Sequence, residues 1–369
     1  MTQCTELWVD RQNIRTTRIV DSPLKALAEG EVRVAIDQFA LTSNNVSYAI
    51  SGDTIGYWGF YPAEDNWGKV PVWGCANVLE SNCVDVPVGD RLWGFFPMAS
   101  HAVLLPGKVR DDQFVDVAAH RQQLPGLYNA YRRTAAEPAF LRAMEVERCL
   151  LFPLFATSWL IYDYLVDNDF FGARQVLIGS VSSKTGFGLA EMLHNDPDVT
   201  QRIVGLTSPA NVAFVERLGC CDDIVVYGEE ANIDATVTSA YVDMSGDARL
   251  TSALHKLLGD NMVESAMVGA THWEQRGDTG KLPGARPTFF FAPAQVGKRN
   301  EEWGPGVAMT KAITASAKVA EKVQDEMTVE WTRDVHELAN LWVDLLDNKV
   351  SPNRGLMISP LNFAGSFKR

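Results

Sequence analysis

The residues best suited to chemistry lie in a Gly/Ser-rich segment that spans residues 176–190. An apolar run ends at Ile178, a Gly/Ser-rich loop follows, and a helix is predicted to begin near Gly186. The first turn of a helix presents unpaired N–H groups and the positive end of the helix dipole, which suit a phosphate group. Gly186 and Gly188 would let the backbone approach a ligand and the helix pack close to the strand. The segment therefore predicts a phosphate site, and a purely structural turn is the alternative.

The spacing within this segment argues against two other chemistries. A Walker A loop requires a glycine directly before Lys-Thr, whereas Ser183 stands before Lys184 here. A short-chain reductase requires Tyr-xxx-Lys, and none of the nine tyrosines has a lysine four residues later. The candidate phosphate-binding residues are Gly179, Ser180, Ser182, Ser183, Lys184, Thr185, Gly186 and Gly188.

The next apolar run, Ile203–Leu206, predicts which dinucleotide binds. It follows the first run at the distance of one strand–helix–strand unit. An NAD site would place Asp or Glu at the end of this run to bind the ribose 2′-hydroxyl, but the chain has Thr207 and Ser208 there. Because no carboxylate would repel a 2′-phosphate, the sequence favours NADP(H) over NAD(H). The alternative is that Ser208 only caps the next helix.

The spacing of apolar runs differs between two parts of the chain. From residue 160 to residue 292, short apolar runs alternate with helix-length segments, which predicts a parallel sheet. Residues 1–108 instead hold short apolar runs separated by turns, which predicts an antiparallel sheet or a partly open barrel. We therefore expect a strand-rich domain over residues 1–152 and an α/β domain with a parallel sheet over residues 153–311. The first domain should contain a helical insertion at about 110–150 and be completed by about 312–369.

Composition narrows the class of protein further. The 369 residues carry a net charge of −13, are 46% hydrophobic and 21% charged, and contain six cysteines with no CxxC spacing. Such a chain is expected to fold without disulfides, and its acidity argues against a nucleic-acid partner. The N-terminus lacks an apolar core of signal length, and the longest apolar stretch, residues 149–165, is too short and polar to span a membrane. The sequence predicts a cytoplasmic protein without a membrane partner.

The order of these parts resembles the medium-chain dehydrogenase/reductase superfamily. The resemblance is carried by a strand-rich N-terminal half with Val88-Gly-Asp-Arg-Leu-Trp93, followed by strand–helix–strand units after Thr157. It implies an α/β protein with a GroES-like β-rich catalytic domain and a Rossmann cofactor domain with a doubly wound parallel sheet. The Gly-His-Glu segment of the zinc enzymes is replaced by Trp-Gly-Cys-Ala-Asn at residues 73–77, and the four-cysteine lobe is absent. The resemblance is therefore to the zinc-free quinone oxidoreductase and enoyl reductase branches, with no metal and with Cys75 as a buried residue.

In those branches hydride passes from NADPH to an activated alkene, enone or quinone. The segment resembling the family's active-site stretch spans residues 41–52, and Tyr48 matches a family tyrosine that could donate to a developing enolate. Ser43 stands where quinone oxidoreductases have an asparagine, and the neighbouring Asn44 could substitute for it. Tyr48 could also be a core residue. A non-catalytic NADP(H)-binding sensor or scaffold and a metal-free carbonyl reductase remain alternative functions.

Later parts of the chain complete the expected site. Tyr227 corresponds to a tyrosine that the family places near the 2′-phosphate, and the ends of the later strands should face the cofactor. An aromatic cluster over residues 57–67 predicts either a hydrophobic substrate wall or plain packing. The expected partners are a small hydrophobic substrate and, as one option, a second copy of the chain in a homodimer. The remaining cofactor candidates are Met244, Ser245, Gly246, Gly269, Ala270, Phe291 and Ala292.

Overall fold

The computed structural model describes residues 3–268 and 281–361, which form two compact units. Unit 1 comprises the described residues of Met1–Leu150, Val329–Val350 and Arg354–Arg369. Unit 2 comprises those of Leu151–Thr328 and Ser351–Asn353. The chain thus returns to unit 1 at Val329, later than the expected position near residue 312.

The strands are numbered in chain order. They are β1 Gln3–Asp10, β2 Thr17–Pro23, β3 Val32–Leu41, β4 Trp67–Gly68, β5 Pro71–Ser81, β6 Arg91–Pro97, β7 His101–Leu104, β8 Pro106–Gly107, β9 Gln113–Asp116, β10 Ala130–Arg133, β11 Gln175–Gly179, β12 Arg202–Thr207, β13 Asp223–Val226, β14 Ser239–Asp243, β15 Met262–Met267, β16 Thr288–Phe289, β17 Thr328–Thr332 and β18 Arg354–Ile358.

The α-helices are numbered in the same way. They are α1 Ser43–Ile50, α2 Gly52–Ile55, α3 Ala139–Ala143, α4 Glu145–Leu150, α5 Phe152–Asp167, α6 Lys184–His194, α7 Val212–Leu218, α8 Ala248–Leu258, α9 Ala292–Trp303, α10 Val307–Val323 and α11 Val335–Leu346. Among the residues that the structure describes, no helix is long and apolar enough to cross a membrane.

Unit 1 is built on a largely antiparallel sheet with β3 near its centre. The path β17-β18-β3-β5-β6-β10-β9-β8 forms this sheet, β7 also pairs with β3, and a second sheet has the order β2-β1-β4. The C-terminal strand β18 joins the sheet by pairing Leu356 with Leu41 and Met357 with Ala40. Helix α11 covers β1 and β2 with its apolar face, and Trp342 Nε1 donates a hydrogen bond to Ile14 O at 2.7 Å.

Residues 110–150 differ from the expected insertion of helix and loop. They contain β9 and β10, which extend the sheet beyond β6, as well as the short helices α3 and α4. Each of these strands is four residues long, and Arg132 and Arg133 of β10 pair with Trp93 and Leu92. Strands this short and charged carry little periodicity, so the pairing with β6 rather than the local sequence determines them.

Unit 2 contains a parallel sheet with the order β13-β12-β11-β14-β15-β16. Counted along the chain this order is 3-2-1-4-5-6, which is that of a dinucleotide-binding Rossmann domain. Strands β11 and β14 are buried along their whole length, and both read as nearly continuous apolar runs because helices cover both faces of such a sheet. Helix α10 packs against α5, α6 and α9 of the same unit, which is why the chain leaves unit 2 only after it.

Candidate functional site

The phosphate loop, residues 179–186, connects β11 to α6 in unit 2. Ser183 caps α6: its hydroxyl accepts a hydrogen bond from Gly186 N at 3.2 Å and donates one to Ser180 O at 2.7 Å. Ser180 has a φ of 55°, a conformation that favours glycine. A Cβ on Gly186 would lie 2.4 Å from Ser180 O, so only glycine allows the helix to begin this close to the strand. The loop therefore directs the start of α6 to the end of β11, where a phosphate would bind.

The neighbouring strands β12 and β14 end beside this loop. Strand β11 lies between β12 and β14, which is the point where the order of the sheet reverses. Ligands of open α/β sheets bind at such a point, outside the carboxyl ends of the strands. A Cβ on Gly179 would lie 2.7 Å from Tyr241 Oη, which shows how tightly the end of β11 packs against β14.

Three polar side chains converge beside the phosphate loop at the end of β12. The Ser182 hydroxyl accepts hydrogen bonds from Thr207 Oγ1 at 3.0 Å and Asn211 Nδ2 at 3.2 Å. Its own hydrogen is then available to donate, which suits an anionic ligand. Ser208 begins a 3₁₀-helix but makes no cap hydrogen bond, so its hydroxyl is not used in that role. Asn211 was not among the residues predicted from the sequence, where it is marked only by its position directly before α7.

Tyr227 and Lys184 approach the loop differently. The Tyr227 hydroxyl accepts a hydrogen bond from Ser180 N at 2.9 Å, and burial raises the pKa of Tyr227 to about 12. Tyr227 thus contacts the loop from the position directly after β13, and its place near a 2′-phosphate stays a prediction. Lys184 Nζ donates to Pro352 O at 3.0 Å, and burial lowers the pKa of Lys184 to about 8.

A buried carboxylate fixes the turn after β14. Asp243 accepts hydrogen bonds from Ser245 N at 2.8 Å, from the Ser245 hydroxyl at 2.6 Å and from Gly246 N at 3.1 Å. Met244 N donates to Gly179 O at 3.2 Å and so ties this turn to the phosphate loop. The backbone N–H groups of Met244, Ser245 and Gly246 therefore all bind within the protein. Asp243, which the sequence analysis did not identify, accepts those of Ser245 and Gly246.

The remaining candidates of unit 2 have other surroundings. A Cβ on Gly188 would lie 2.5 Å from the Phe155 ring, so this glycine allows α6 to pack against α5 rather than against a ligand. Thr185 O accepts a hydrogen bond from Ser158 Oγ of α5 at 2.8 Å. Phe291 and Ala292 lie at the start of α9, after a strand that ends at Phe289. The candidates Gly269 and Ala270 lie outside the described residues.

In unit 1, the candidate acid is Tyr48 on α1. Asn44 lies one helical turn earlier on the same face, and its Nδ2 donates to Tyr48 Oη at 2.7 Å. Ser43 is exposed at the first position of α1, so Asn44 rather than Ser43 provides this contact. Asn45 serves the helix itself, because its Oδ1 accepts from Thr42 N at 2.7 Å.

Tyr48 lies in a group of aromatic rings that we call the Tyr48 cluster. Its ring centroid is 4.4 Å from that of Tyr57 and 5.3 Å from that of Phe95. The Tyr57 and Tyr128 hydroxyls are 2.8 Å apart, and burial raises the pKa of Tyr48 well above its usual value of 10. The Tyr48 cluster comprises Tyr48, Tyr57, Phe60, Trp73, Phe95 and Tyr128.

Only part of the aromatic wall suggested by the sequence lies in this cluster. Tyr57 and Phe60 belong to it, whereas the Trp58 ring packs against Gly52 and Gly68, where a Cβ would lie 2.1 and 2.3 Å from its atoms. Tyr61 points elsewhere, because its hydroxyl donates to Phe95 O at 2.8 Å. Trp67 stacks under the Arg18 guanidinium. Trp73 and Tyr128 come from β5 and from residues 126–129, and no local pattern marked them.

Within residues 3–268 and 281–361, no group of three or more His, Cys, Asp and Glu side chains could hold a metal ion. Cys75 is fully buried on β5.

The chain shares its fold with several solved structures. CurA from Vibrio vulnificus, in complex with NADPH, has a TM-score of 0.58 at 11% identity, covering 96% of this chain and 98% of that chain. The yhdH oxidoreductase from Salmonella enterica, in complex with NADP, has a TM-score of 0.51 at 13% identity, covering 96% and 99%. A mutant form of enoyl thioester reductase from Candida tropicalis has a TM-score of 0.54 at 12% identity, covering 97% and 100%. These likenesses confirm the predicted fold, in which a β-rich unit is joined to a Rossmann unit with a parallel sheet.

Within that fold, the chain belongs to the family described as Protein of unknown function (DUF2855), which matches residues 39–351. The matched range includes both Tyr48 and the phosphate loop, so both candidate sites lie in the part of the chain that defines the family. A comparison with curated protein sequences found no match.

Proposed function

We propose that the protein is a zinc-free, NADPH-dependent oxidoreductase that delivers hydride to an activated alkene, enone or quinone. The observation that carries this proposal is the Tyr48 hydroxyl, which accepts a hydrogen bond from Asn44 inside an aromatic cluster. A neutral donor in apolar surroundings is suited to an oxygen on which negative charge develops. The solved structures with this fold include complexes with NADPH and NADP, which supports the nucleotide part of the proposal.

The residues of unit 2 fit a dinucleotide with a 2′-phosphate. The glycine at 186 leaves room beside the start of α6 for a pyrophosphate, and the hydroxyl of Ser182 has a hydrogen to donate. Thr207 and Ser208 place hydroxyls instead of a carboxylate at the end of β12. Because anions bind where donors are present and negative charge is absent, this set favours NADPH over NADH.

The residues of unit 1 would polarise the acceptor and supply a proton. Bound NADPH supplies the hydride. Tyr48 would donate a hydrogen bond to the carbonyl oxygen of the acceptor as negative charge develops there, and then a proton, which gives the enol. The Tyr48 phenolate would then take a proton back from water. Its raised pKa keeps the phenol protonated throughout the physiological range, so it acts as a donor and not as a base.

The surroundings of Tyr48 favour a flat, apolar acceptor. Tyr57, Phe60 and Phe95 present ring faces and edges, and the Tyr57 and Tyr128 hydroxyls bind each other. Aromatic side chains bind planar conjugated molecules by offset or edge-to-face contacts. Enones and quinones carry both the conjugated plane and the carbonyl that Tyr48 requires.

NADPH consumption against a panel of enones, quinones and saturated ketones tests the proposal. We expect turnover with enones or quinones, tighter binding of NADPH than of NADH, and unchanged activity after dialysis against a chelator. Turnover of ketones alone would instead indicate a metal-free carbonyl reductase. Nucleotide binding without any turnover would indicate a sensor or scaffold, and loss of activity with stoichiometric zinc would contradict the zinc-free assignment.

A further inference from the structure

The indole of Trp73 makes a second hydrogen bond to the Tyr48 hydroxyl. Trp73 Nε1 lies 3.1 Å from Tyr48 Oη, and Asn44 Nδ2 lies 2.7 Å from the same oxygen. An indole N–H can only donate, so chemistry alone fixes the direction of the Trp73 bond. Tyr48 Oη must therefore accept from Trp73. With both bonds made, the lone pairs of the oxygen are occupied and the hydroxyl hydrogen has to point away from Trp73 and Asn44.

A stack of side chains holds this indole in place. The antiparallel register pairs Trp73 with Phe95 and Cys75 with Trp93, so the two tryptophans are diagonal neighbours on one face of the sheet. Their ring centroids are 4.6 Å apart with an interplanar angle of 19°. The guanidinium carbon of Arg148 lies 4.2 Å from the centroid of the Trp93 ring.

The charged end of the stack is itself fixed. Arg148 and Glu137 are both buried and form a two-point ion pair, with Nη2 and Oε1 at 2.6 Å. Removing one partner of a buried ion pair is strongly unfavourable, so the guanidinium stays over Trp93. The contacts thus run from Glu137 through Arg148 and Trp93 to Trp73, and they stack one face of the indole that donates to the Tyr48 hydroxyl.

We infer that Trp73 is the positioning residue that sets the direction of the Tyr48 proton, held in place by Trp93, Arg148 and Glu137. The inference rests on the proposed function, since an oriented proton matters only if Tyr48 acts as a donor. Trp73 does not itself contact the acceptor in this scheme. Its contribution is to keep the Tyr48 hydroxyl from donating to another group of the protein.

The hydrogen bond can be measured without any activity. In protein with ¹⁵N-labelled tryptophans, the indole N–H signal of Trp73 is assigned by its loss in Trp73→Phe, or in Trp73→Tyr if the first variant does not fold. Tyr48→Phe removes the acceptor and keeps the ring, so we expect the Trp73 signal to move upfield. The signal of Trp342, which donates to Ile14 O, is the control and should stay in place. A Trp73 signal that does not move in Tyr48→Phe would overturn the inference.

A double-mutant cycle tests the positioning role. Trp73→Phe keeps an aromatic ring on Trp93 but lacks the donor, and we expect it to lower kcat about tenfold, the usual effect of one hydrogen bond, at unchanged nucleotide affinity. The double variant with Tyr48→Phe should be no slower than Tyr48→Phe alone, because both changes remove one function. Multiplied losses would overturn the positioning role. Absence of turnover in the wild type would refute the proposed function, and the indole signal would still decide the hydrogen bond.

Discussion

The Tyr48 cluster of unit 1 and the phosphate loop of unit 2 depend on different kinds of contact. In the cluster, one hydroxyl is held by side chains of α1 and β5 and is enclosed by rings from four further positions. In the loop, most of the hydrogen bonds involve a backbone group or a short hydroxyl, some within the loop itself and others to residues at the ends of the neighbouring strands. A site in which backbone groups make many of the hydrogen bonds should keep its function when single side chains are changed. A site that depends on one side-chain hydroxyl should lose its function when that hydroxyl is removed. The two units should therefore respond to mutation separately and in different ways.

The largest expected effect is at Tyr48. Tyr48→Phe keeps the ring and removes the donor, and losing one preorganised donor costs ~10²–10³ in rate. We expect this loss in kcat together with an unchanged Kd for NADPH, since the proposed nucleotide contacts lie in unit 2. Steady-state kinetics and a fluorescence titration measure the two quantities. Tyr162→Phe removes a hydroxyl that binds Asp196 in unit 2, and it should change neither.

Unchanged turnover in Tyr48→Phe with every accepted substrate would remove Tyr48 from the mechanism. A loss of NADPH affinity of similar size would instead show that the two sites do not act independently.

A smaller effect is expected at the end of β12. Ser208→Asp places a negative charge where the 2′-phosphate would lie, and Coulomb repulsion at partly exposed sites amounts to a few kcal/mol at most. We expect NADPH to bind roughly tenfold or more weakly, with NADH affinity nearly unchanged. Titrating both nucleotides against Ser208→Asp and the matched Ser208→Asn separates charge from size. Equal weakening of both nucleotides would show that the 2′-phosphate is not recognised at Ser208.

The smallest expected effect is the contribution of Lys184, in the phosphate loop, to folding stability. Burial lowers the pKa of Lys184 to about 8 in the folded protein, below its usual 10.5. Between these values the unfolded state binds more protons, so this group makes stability rise with pH over that window. The difference in unfolding free energy between wild type and Lys184→Met should change by about 1–2 kcal/mol from pH 8 to pH 9.5, in favour of the wild type. Urea unfolding at both pH values measures it, and a constant difference would contradict the pKa.

The sequence predicted the parts of the molecule that local pattern controls. The buried strands of unit 2 are continuous apolar runs, and the phosphate loop is contiguous, so its glycines and cap can be read directly. The contact between Asn44 and Tyr48 was not predicted, although residues four apart share one face of a helix and their spacing is consistent with it. Thr207 and Ser208 carry hydroxyls where an NAD site has a carboxylate. They could be identified from the end of a single predicted strand.

Other features were decided only by tertiary structure. Trp73 reaches Tyr48 because of the register between β5 and β6, and no single segment encodes a register of that kind. Tyr128 joins the cluster because the four-residue strands β9 and β10 add to the edge of β6, where the pairing partner supplies the hydrogen bonds that such short strands cannot secure alone. Asp243 organises the turn after β14 because burial leaves its carboxylate no partners but the nearby N–H and hydroxyl groups. In each case the contact joins residues that are distant in sequence or hidden from solvent, so its energy arises only when the chain has folded.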